Sequence, residues 1–134
     1  MGTSENKQLL QAIFAATARG DSRALVESMG EDFRWTIAGT GRWSRTYDKQ
    51  AVLTELFPAL RARIEGRIKM IPQRFIADGD HVVVEARGDN VTKAGELYNN
   101  SYCFVFRVAA GKLAEVTEYM DTELVTAALG APSG

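Results

Sequence analysis

The fold of this chain is decided by the stretch LYNNSYCFVFRVAAGKLAEVTEYMD, residues 97–121. Side chains alternate along two segments of this stretch, before and after a turn at Ala110 and Gly111, and a period of two is typical of β-strands. We therefore predict a hairpin of two long strands. One face of the first strand carries Asn100 and Tyr102, followed by large apolar side chains. An apolar surface with two polar groups at one end is typical of a pocket for a small molecule.

The second strand of this hairpin has two faces of different character. Thr117, Tyr119 and Asp121 share one face, and we expect this face to line the pocket. Glu118 belongs to the opposite face, where we expect it to join a ladder of charged side chains with Glu85 of a neighbouring strand. The pattern thus predicts that polar groups from both strands of the hairpin reach the pocket.

Three helices are predicted in the first half of the chain. Apolar residues recur at intervals of three and four within residues 9–17, 24–29 and 52–60, which is the period of an amphipathic helix. Glycines follow the first two segments and can end these helices, whereas Asp48 is a suitable N-cap for the third.

Further strands are predicted between and after these helices. Residues 33–37 alternate between large apolar and polar side chains, so we expect a short strand with Trp35 facing the core. A later apolar segment contains Pro72, which is typical of an edge strand or of a bulge. Asp78 and Gly79 then form a strong hairpin signal, and the partner strand follows with its even-numbered positions facing inward.

The order of these elements predicts an α+β fold. Three N-terminal helices are followed by a run of antiparallel strands, and a short C-terminal helix is predicted after Asp121. In this plan the helices cover one face of a curved antiparallel sheet, and the space between them is a natural cavity. We expect one domain over residues 1–134, with its core at about residues 6–128, because 134 residues suffice for one core and not for two.

Composition and charge exclude several functional classes. The net charge is −1 with scattered lysines and arginines, so we expect no nucleic-acid partner. The single cysteine, Cys103, cannot form an intramolecular disulfide, and the single histidine, His81, has no partner for a metal site, so we expect no metal and no cofactor. No apolar stretch approaches the length of a membrane span and no secretory leader pattern is present, so we expect a cytoplasmic protein with no membrane partner.

Four blocks of the sequence resemble, in their order and spacing, the SnoaL-like polyketide cyclases of the nuclear transport factor 2-like superfamily. The blocks are GDSRALVESMGEDFRW (20–35), GTGRWSRTYDKQAV (39–52), IADGDHVVVEARG (76–88) and YNNSYCFVFRVAAGKLAEVTEYMDT (98–122). The resemblance implies a cystatin-like cone of curved antiparallel sheet against three N-terminal helices, open at one end. It also implies a homodimer formed through the outer face of the sheet.

The superfamily hosts several chemistries, and the fold does not choose among them. The catalytic Tyr and Asp positions of ketosteroid isomerases fall near Ile13 and Ile37 of this chain, which are apolar. The Arg and Asp positions of limonene-type epoxide hydrolases fall at Ala86 and Gly88 when Glu85 anchors the alignment. Sliding the alignment by one residue would bring Arg87 and Asp89 to these positions, but it would also turn Val82 and Val84 outward. The resemblance therefore disfavours both mechanisms.

Asp121 is the residue that the resemblance offers as a catalyst. SnoaL-type cyclases carry an acid near the end of the last strand, which implies a general base for a cofactor-free intramolecular aldol closure. Apolar surroundings from Trp35, Tyr102 and Tyr119 would raise the pKa of this carboxyl, and Asn100 with Tyr102 would donate hydrogen bonds to an enolate. Asp121 is equally a candidate N-cap of the last helix, because Asp is a preferred cap.

Two functional hypotheses follow. The first is a dimeric protein that binds an apolar or aromatic small molecule and acts as a cofactor-independent cyclase or isomerase, with Asp121 as catalytic residue. In this hypothesis the substrate-binding residues are Trp35, Asn100, Tyr102, Thr117 and Tyr119. The second is a non-catalytic ligand-binding or protein-interaction module of the same fold. In either case, residues 39–47 with Arg42 and Trp43 form a candidate lid over the pocket.

Overall fold

One six-stranded sheet and a set of helices packed against one of its faces make up this protein. A computed structural model describes residues 2–132. The helices are α1 (Thr3–Ala18), α2 (Arg23–Ser28), α3 (Lys49–Ala51), α4 (Phe57–Arg63) and α5 (Thr122–Leu129), with a π-helical turn at Val52–Leu56 between α3 and α4. The strands are β1 (Met29–Ile37), β2 (Thr46–Asp48), β3 (Met70–Asp78), β4 (His81–Gly88), β5 (Asn90–Val91), β6 (Leu97–Tyr98), β7 (Ser101–Ala109) and β8 (Lys112–Met120). The α+β plan with a curved sheet, N-terminal helices and a short C-terminal helix is confirmed.

The sheet has the order β2-β1-β8-β7-β4-β3, and β5 pairs with β6 in a separate two-stranded ladder. Neighbouring strands of the large sheet are antiparallel, except that β1 runs parallel to β8. This parallel pair places the first strand of the chain directly beside the last strand, in the interior of the sheet.

β3 lies at the edge of the sheet, as Pro72 predicts. The pairing of β3 with β4 shifts in register between Pro72 and Arg74. Proline cannot donate to a strand ladder, and a bulge at the edge accommodates the missing N–H group. The following turn contains Gly79 with a φ of +61°, a conformation that glycine adopts without steric cost.

The core lies between the inner face of the sheet and α1. Odd positions of β1 and even positions of β4 and β7 point into this core, as the sequence predicts. Phe14 of α1 packs against three aromatic rings of the sheet at centroid distances of 5.8 to 6.2 Å. The buried apolar side chains of these elements are Leu10, Ile13, Phe14, Ala16, Met29, Phe33, Trp35, Ile37, Val82, Val84, Ala86, Tyr102, Phe104, Phe106 and Val108.

The predicted face assignment of β8 is wrong. Arg107 pairs with Glu115 and Val108 pairs with Leu113, so β8 carries an extra residue at Ala114. Such a bulge shifts every later residue to the opposite face. The side chain of Glu118 therefore points inward with 8% exposure, and not into an outer charge ladder.

The same bulge turns the other face of β8 outward. Thr117 and Tyr119, which we expected at the pocket, lie on the outer face of the sheet, and Tyr119 is 50% exposed. If the alternation is counted from Leu113 and no bulge is assumed, Thr117 and Tyr119 are placed on the inner face and Glu118 on the outer face.

Candidate functional site

A cavity of about 370 Å³ lies between the helices and the inner face of the sheet. This volume falls within the range of roughly 300–1,000 Å³ that is typical of small-molecule sites. Helices α1, α4 and α5 form one wall, and strands β1, β7 and β8 form the other. Aromatic and aliphatic side chains cover most of the lining, so the cavity suits an apolar or aromatic molecule.

Glu118 is the only acidic residue among the described residues that line this cavity. Its Oε1 accepts a hydrogen bond of 2.9 Å from the indole Nε1 of Trp35. Burial raises the pKa of this carboxyl from 4.5 to about 7, and the hydrogen bond from Trp35 opposes part of that rise. Near neutral pH this carboxyl is therefore present in both its protonated and its ionised form.

Trp35 is held in place by aromatic neighbours. Its ring meets those of Phe33, Phe57 and Phe104 edge to face, at centroid distances of 6.2, 5.7 and 6.3 Å. This geometry is favoured by the quadrupoles of the rings. The indole N–H consequently has a fixed direction toward Glu118.

Two tyrosines, Tyr98 and Tyr102, add hydroxyl groups to the cavity wall. Both are buried, and burial raises the pKa of each phenol above its usual value. They therefore remain protonated at neutral pH and can donate hydrogen bonds. The ring of Tyr102 stacks on Phe104 at a centroid distance of 5.4 Å, which fixes its orientation.

Asn100 lies behind the cavity wall and joins two strands. It is 1% exposed. Its Nδ2 donates to the carbonyl of Asp121 at 3.1 Å, and its Oδ1 accepts from the amides of Asp121 at 3.1 Å and Ser101 at 2.8 Å. Nδ2 also donates to the Tyr98 hydroxyl at 3.4 Å. Asn100 therefore holds the end of β8 against the start of β7 and supports Tyr98 from behind.

Asp121 is the N-cap of α5 and does not line the cavity. Its exposed carboxylate accepts hydrogen bonds from the amides of Glu123 at 3.1 Å and Leu124 at 3.2 Å. These bonds satisfy two of the amides that a helix leaves unpaired at its N-terminus. Of the two interpretations that the sequence left open, this geometry fits the cap.

The structure places the six sequence-predicted site residues in different parts of the protein. Trp35 and Tyr102 line the cavity, Asn100 supports its wall, and Asp121, Thr117 and Tyr119 lie elsewhere. Residue alternation placed Glu118 in a charge ladder on the outer face, and Tyr98 was not among the predicted site residues. The available signal for Glu118 was an acid between Val116 and Met120 on an otherwise apolar face.

Trp43 of the predicted lid is buried and lines the cavity. Its Nε1 donates to the carbonyl of Gly130 at 2.7 Å, and the guanidinium of Arg63 lies 5.4 Å from the centre of its ring. This loop residue is therefore tied to the segment that follows α5. Arg42 beside it is exposed.

No cluster of three or more His, Cys, Asp or Glu suited to a metal ion occurs within residues 2–132. Over the same residues, no helix has the length and apolar character needed to cross a membrane.

Several solved structures share this fold. An NTF2-like protein from Burkholderia xenovorans LB400 is 29% identical, with a TM-score of 0.76 over 96% of this chain and 98% of that chain. A putative SnoaL-like polyketide cyclase from Jannaschia sp. CCS1 is 20% identical, with a TM-score of 0.77 over 97% and 94% of the two chains. TerC, co-crystallised with polyporic acid, is 19% identical, with a TM-score of 0.80 over 95% and 99%. A search of curated proteins returns no match.

These structures are too distant in sequence to show which family the chain belongs to, and a family model provides that evidence. The model for the SnoaL-like domain matches residues 10–116, which is most of the 134-residue chain. The matched segment runs from α1 to Val116 of β8 and includes Trp35, Tyr98 and Tyr102. The resemblance seen in the four sequence blocks is therefore confirmed, and the chain belongs to the SnoaL-like domain family.

Proposed function

We propose that this protein binds an apolar or aromatic small molecule in its cavity and catalyses cofactor-independent cyclase or isomerase chemistry. Glu118 is the general base in this proposal, in place of Asp121. The observation that carries it is a buried carboxyl, facing an apolar cavity, whose pKa is raised to about 7. A base with a pKa near the working pH combines adequate strength with a sufficient ionised fraction.

The proposed reaction begins at a carbon next to a substrate carbonyl. Glu118 takes the proton from this carbon, and the electron pair of the C–H bond moves to the carbonyl oxygen to give an enolate. The hydroxyls of Tyr98 and Tyr102 are neutral donors that can stabilise this oxyanion. In an isomerase, Glu118 returns the proton at another carbon. In a cyclase, the enolate carbon attacks a second carbonyl of the same molecule, the electron pair of that C=O bond moves to its oxygen, and Glu118 returns the proton to the resulting alkoxide.

The hydrogen bond from Trp35 supports this role of Glu118. It occupies Oε1, and no other described residue donates to the carboxyl, which leaves Oε2 for a substrate proton. Because the indole is fixed by three aromatic rings, the carboxyl keeps one orientation without a further charged partner. Trp35 and Tyr102 are the proposed contacts to the substrate body.

Relatives of the same fold offer support of a general kind. One is described as a putative polyketide cyclase and another was crystallised with polyporic acid. Both descriptions are compatible with a cavity that admits a small organic molecule.

Deuterium exchange into 2-tetralone, followed by proton NMR, tests the proposed base. This bicyclic aromatic ketone has acidic hydrogens next to its carbonyl and needs no knowledge of the natural substrate. The protein should accelerate exchange, and Glu118→Gln should reduce the acceleration by about 100-fold or more, as is typical for loss of a general base. Glu115→Gln is the matched control, because Glu115 is an exposed acid on the same strand. Equal exchange by wild type and Glu118→Gln contradicts the proposal.

The alternative is a non-catalytic ligand-binding module. Its supporting observation is that Glu118 stands alone, since no second acidic side chain among residues 2–132 lines the cavity. In that case 2-tetralone binds, as measured by calorimetry, while the wild-type protein leaves its exchange rate at the uncatalysed value.

We also propose that the protein is a cytoplasmic homodimer that pairs through the outer face of the sheet. An uncharged row crosses this face on four neighbouring strands. The row consists of Ile76, Val83, Val105 and Thr117, which are paired across the strands. Ion pairs flank the row on both sides, Arg74 with Glu85 and Arg107 with Glu115. An uncharged centre with a charged rim is typical of a protein interface.

A further inference from the structure

The opening of the cavity is lined by cationic side chains. Exposed residues among the cavity lining mark where it meets solvent, and two of them, Arg61 and Arg67, are charged. The others are small, namely Gly20, Ser22 and Gly66. The buried part of the lining carries Glu118, so an acid and two cations occupy different depths of the same cavity.

The position of Arg67 depends on a glycine. Nη1 of Arg67 donates to the carbonyl of Arg19 at 2.7 Å, so the guanidinium lies across the turn between α1 and α2. Gly20 in this turn has a φ of +82°, and a Cβ atom placed there would overlap the Arg67 side chain. The absence of a side chain at Gly20 thus provides the space in which Arg67 reaches the cavity opening.

Two other arginines, Arg23 and Arg63, do not line the cavity, and each has its guanidinium held by two or more hydrogen bonds. Arg23 pairs with Asp21 at 3.1 Å. Arg63 donates to the backbone carbonyls of Leu129 at 3.0 Å and Pro132 at 3.1 Å. Arg61 and Arg67 form no ion pair of 4.0 Å or less with any carboxylate of residues 2–132, and the guanidinium of Arg67 makes a single hydrogen bond, to the carbonyl of Arg19. Their charges remain available to a ligand.

We propose that the ligand of this cavity is an amphiphilic acid, with an apolar or aromatic body in the cavity and a carboxylate at the opening, held by Arg61 and Arg67. The inference rests on the proposed function only in taking this cavity as the ligand site. Guanidinium groups bind carboxylates through paired, charge-assisted hydrogen bonds.

This arrangement also fixes the direction of the ligand. A carboxylate placed beside Glu118 would meet a second acid in apolar surroundings, which is unfavourable for either anion. The anionic end therefore stays at the opening, and the other end of the molecule reaches Glu118, Tyr98 and Tyr102. A positive opening in addition attracts anionic ligands from solution.

Calorimetric titration with a matched pair of probes tests the inference. The probes are 2-naphthylacetate and 2-naphthylacetamide, which share the aromatic body and differ in the charge at one end. At pH 7 the acid should bind about fivefold more tightly than the amide, as two partly exposed ion pairs allow. The preference should shrink when NaCl is raised from about 50 to about 500 mM, since salt screens exposed charges.

Three variants test whether Arg61 and Arg67 cause the preference for the acid over the amide. The double variant Arg61→Gln and Arg67→Gln should lose the preference for the acid. Arg61→Gln alone should lose part of this preference, and the Arg61 side chain has no hydrogen bond within residues 2–132 that the substitution would disturb. Arg87→Gln, which removes an exposed arginine from the outer face of the sheet, should keep it.

The outcomes separate this inference from the proposed reaction. An amide that binds as tightly as the acid to wild type, or a preference that survives in the double variant, overturns the inference whatever the exchange assay gives. A clear preference for the acid supports it even if 2-tetralone is not exchanged, because binding is measured without turnover. Failure of both probes to bind overturns it together with the assignment of the cavity as a ligand site.

Discussion

At the scale of single residues, Glu118 lowers the stability of the fold when it ionises. Burial raises its pKa from 4.5 to about 7. Between these pH values the folded protein holds a proton that the unfolded chain has released, so the free energy of unfolding falls as the pH rises. The loss is absent below about pH 4.5, is complete above about pH 7 and amounts to about 3 kcal/mol. A destabilising group of this kind is typical of a functional site.

Glu118→Gln should remove this pH dependence. A neutral amide has nothing to ionise, so the variant should be more stable than wild type by about 2–3 kcal/mol at pH 8 and differ little at pH 4.5. Urea denaturation at a series of pH values between these limits measures the difference. Glu115→Gln serves as the control, because this acid is exposed and its change should give a small effect at every pH. A wild-type stability that rises between pH 5 and pH 7 relative to Glu118→Gln would show that the carboxyl is not buried as described.

The inward direction of Glu118 could not be predicted from residue spacing. Period-two counting along β8 is correct on each side of Ala114, but the bulge at that position reverses its phase. The bulge is set by the pairing of β8 with β7 and β1, and its one local signal is that Glu118 shares a face with the apolar Val116 and Met120. By contrast, the alternation of residues 33–37 gave the buried direction of Trp35 correctly, although the pairing of β1 with β8 shifts in register between Met29 and Arg34.

At the scale of elements, Asp121 connects β8 to α5. Its carboxylate holds two amides of the helix, and Val125 and Leu129 of that helix line the cavity. Asp121→Ala should therefore destabilise the protein by about 1 kcal/mol, whereas Asp121→Asn should stay close to wild type because asparagine is an equally good cap. Thermal denaturation of both variants measures the effect.

The deuterium exchange assay applied to Asp121→Asn decides between the two interpretations of this residue. Exchange should proceed as in wild type, since the cap is kept and Glu118 is untouched. If exchange disappears while the melting temperature is unchanged, Asp121 is the base and Glu118 is not.

Most elements were predictable because their signals are local. Pro72 marks the edge strand, the Asp78 and Gly79 pair marks a hairpin, and Asp48 caps its helix by accepting from the amide of Ala51 at 2.8 Å. The π-helical turn at Val52–Leu56 was not predictable. A π-helix has about one residue more per turn than an α-helix, and over a single turn this difference does not change the pattern of apolar positions in the sequence. The π-helical turn is therefore visible only in the folded structure.

At the scale of the whole molecule, the cavity exists because the helices do not fill the concave side of the sheet. The sequence predicted this space from the order of the elements, and it predicted an apolar wall from β7. It could not predict which polar groups enter the space, since that depends on the bulge in β8 and on the break between β6 and β7. Asn100 lies at this break, and its amide side chain binds backbone atoms 21 residues away.

The outer face of the sheet carries the proposed dimer interface, and Val105 lies in the middle of its uncharged row. Val105→Lys would place two like charges near the two-fold axis, in a region that the dimer removes from water. We expect this variant to be monomeric at micromolar concentration, while the wild-type protein is a dimer, because an unpaired buried charge is strongly unfavourable. Size-exclusion chromatography with light scattering measures both masses.

Val91→Lys is the matched control for this experiment. Val91 is a 40% exposed valine on β5, outside the six-stranded sheet, so the same substitution there should leave the mass of the dimer unchanged. Circular dichroism should show that both variants keep the fold, because Val105 points away from the core and a lysine in a strand costs less than about 1 kcal/mol. A dimer that survives Val105→Lys places the contact elsewhere than on this row. A wild-type monomer would mean that the row remains exposed to solvent, and that the cavity with Glu118 operates within a single chain.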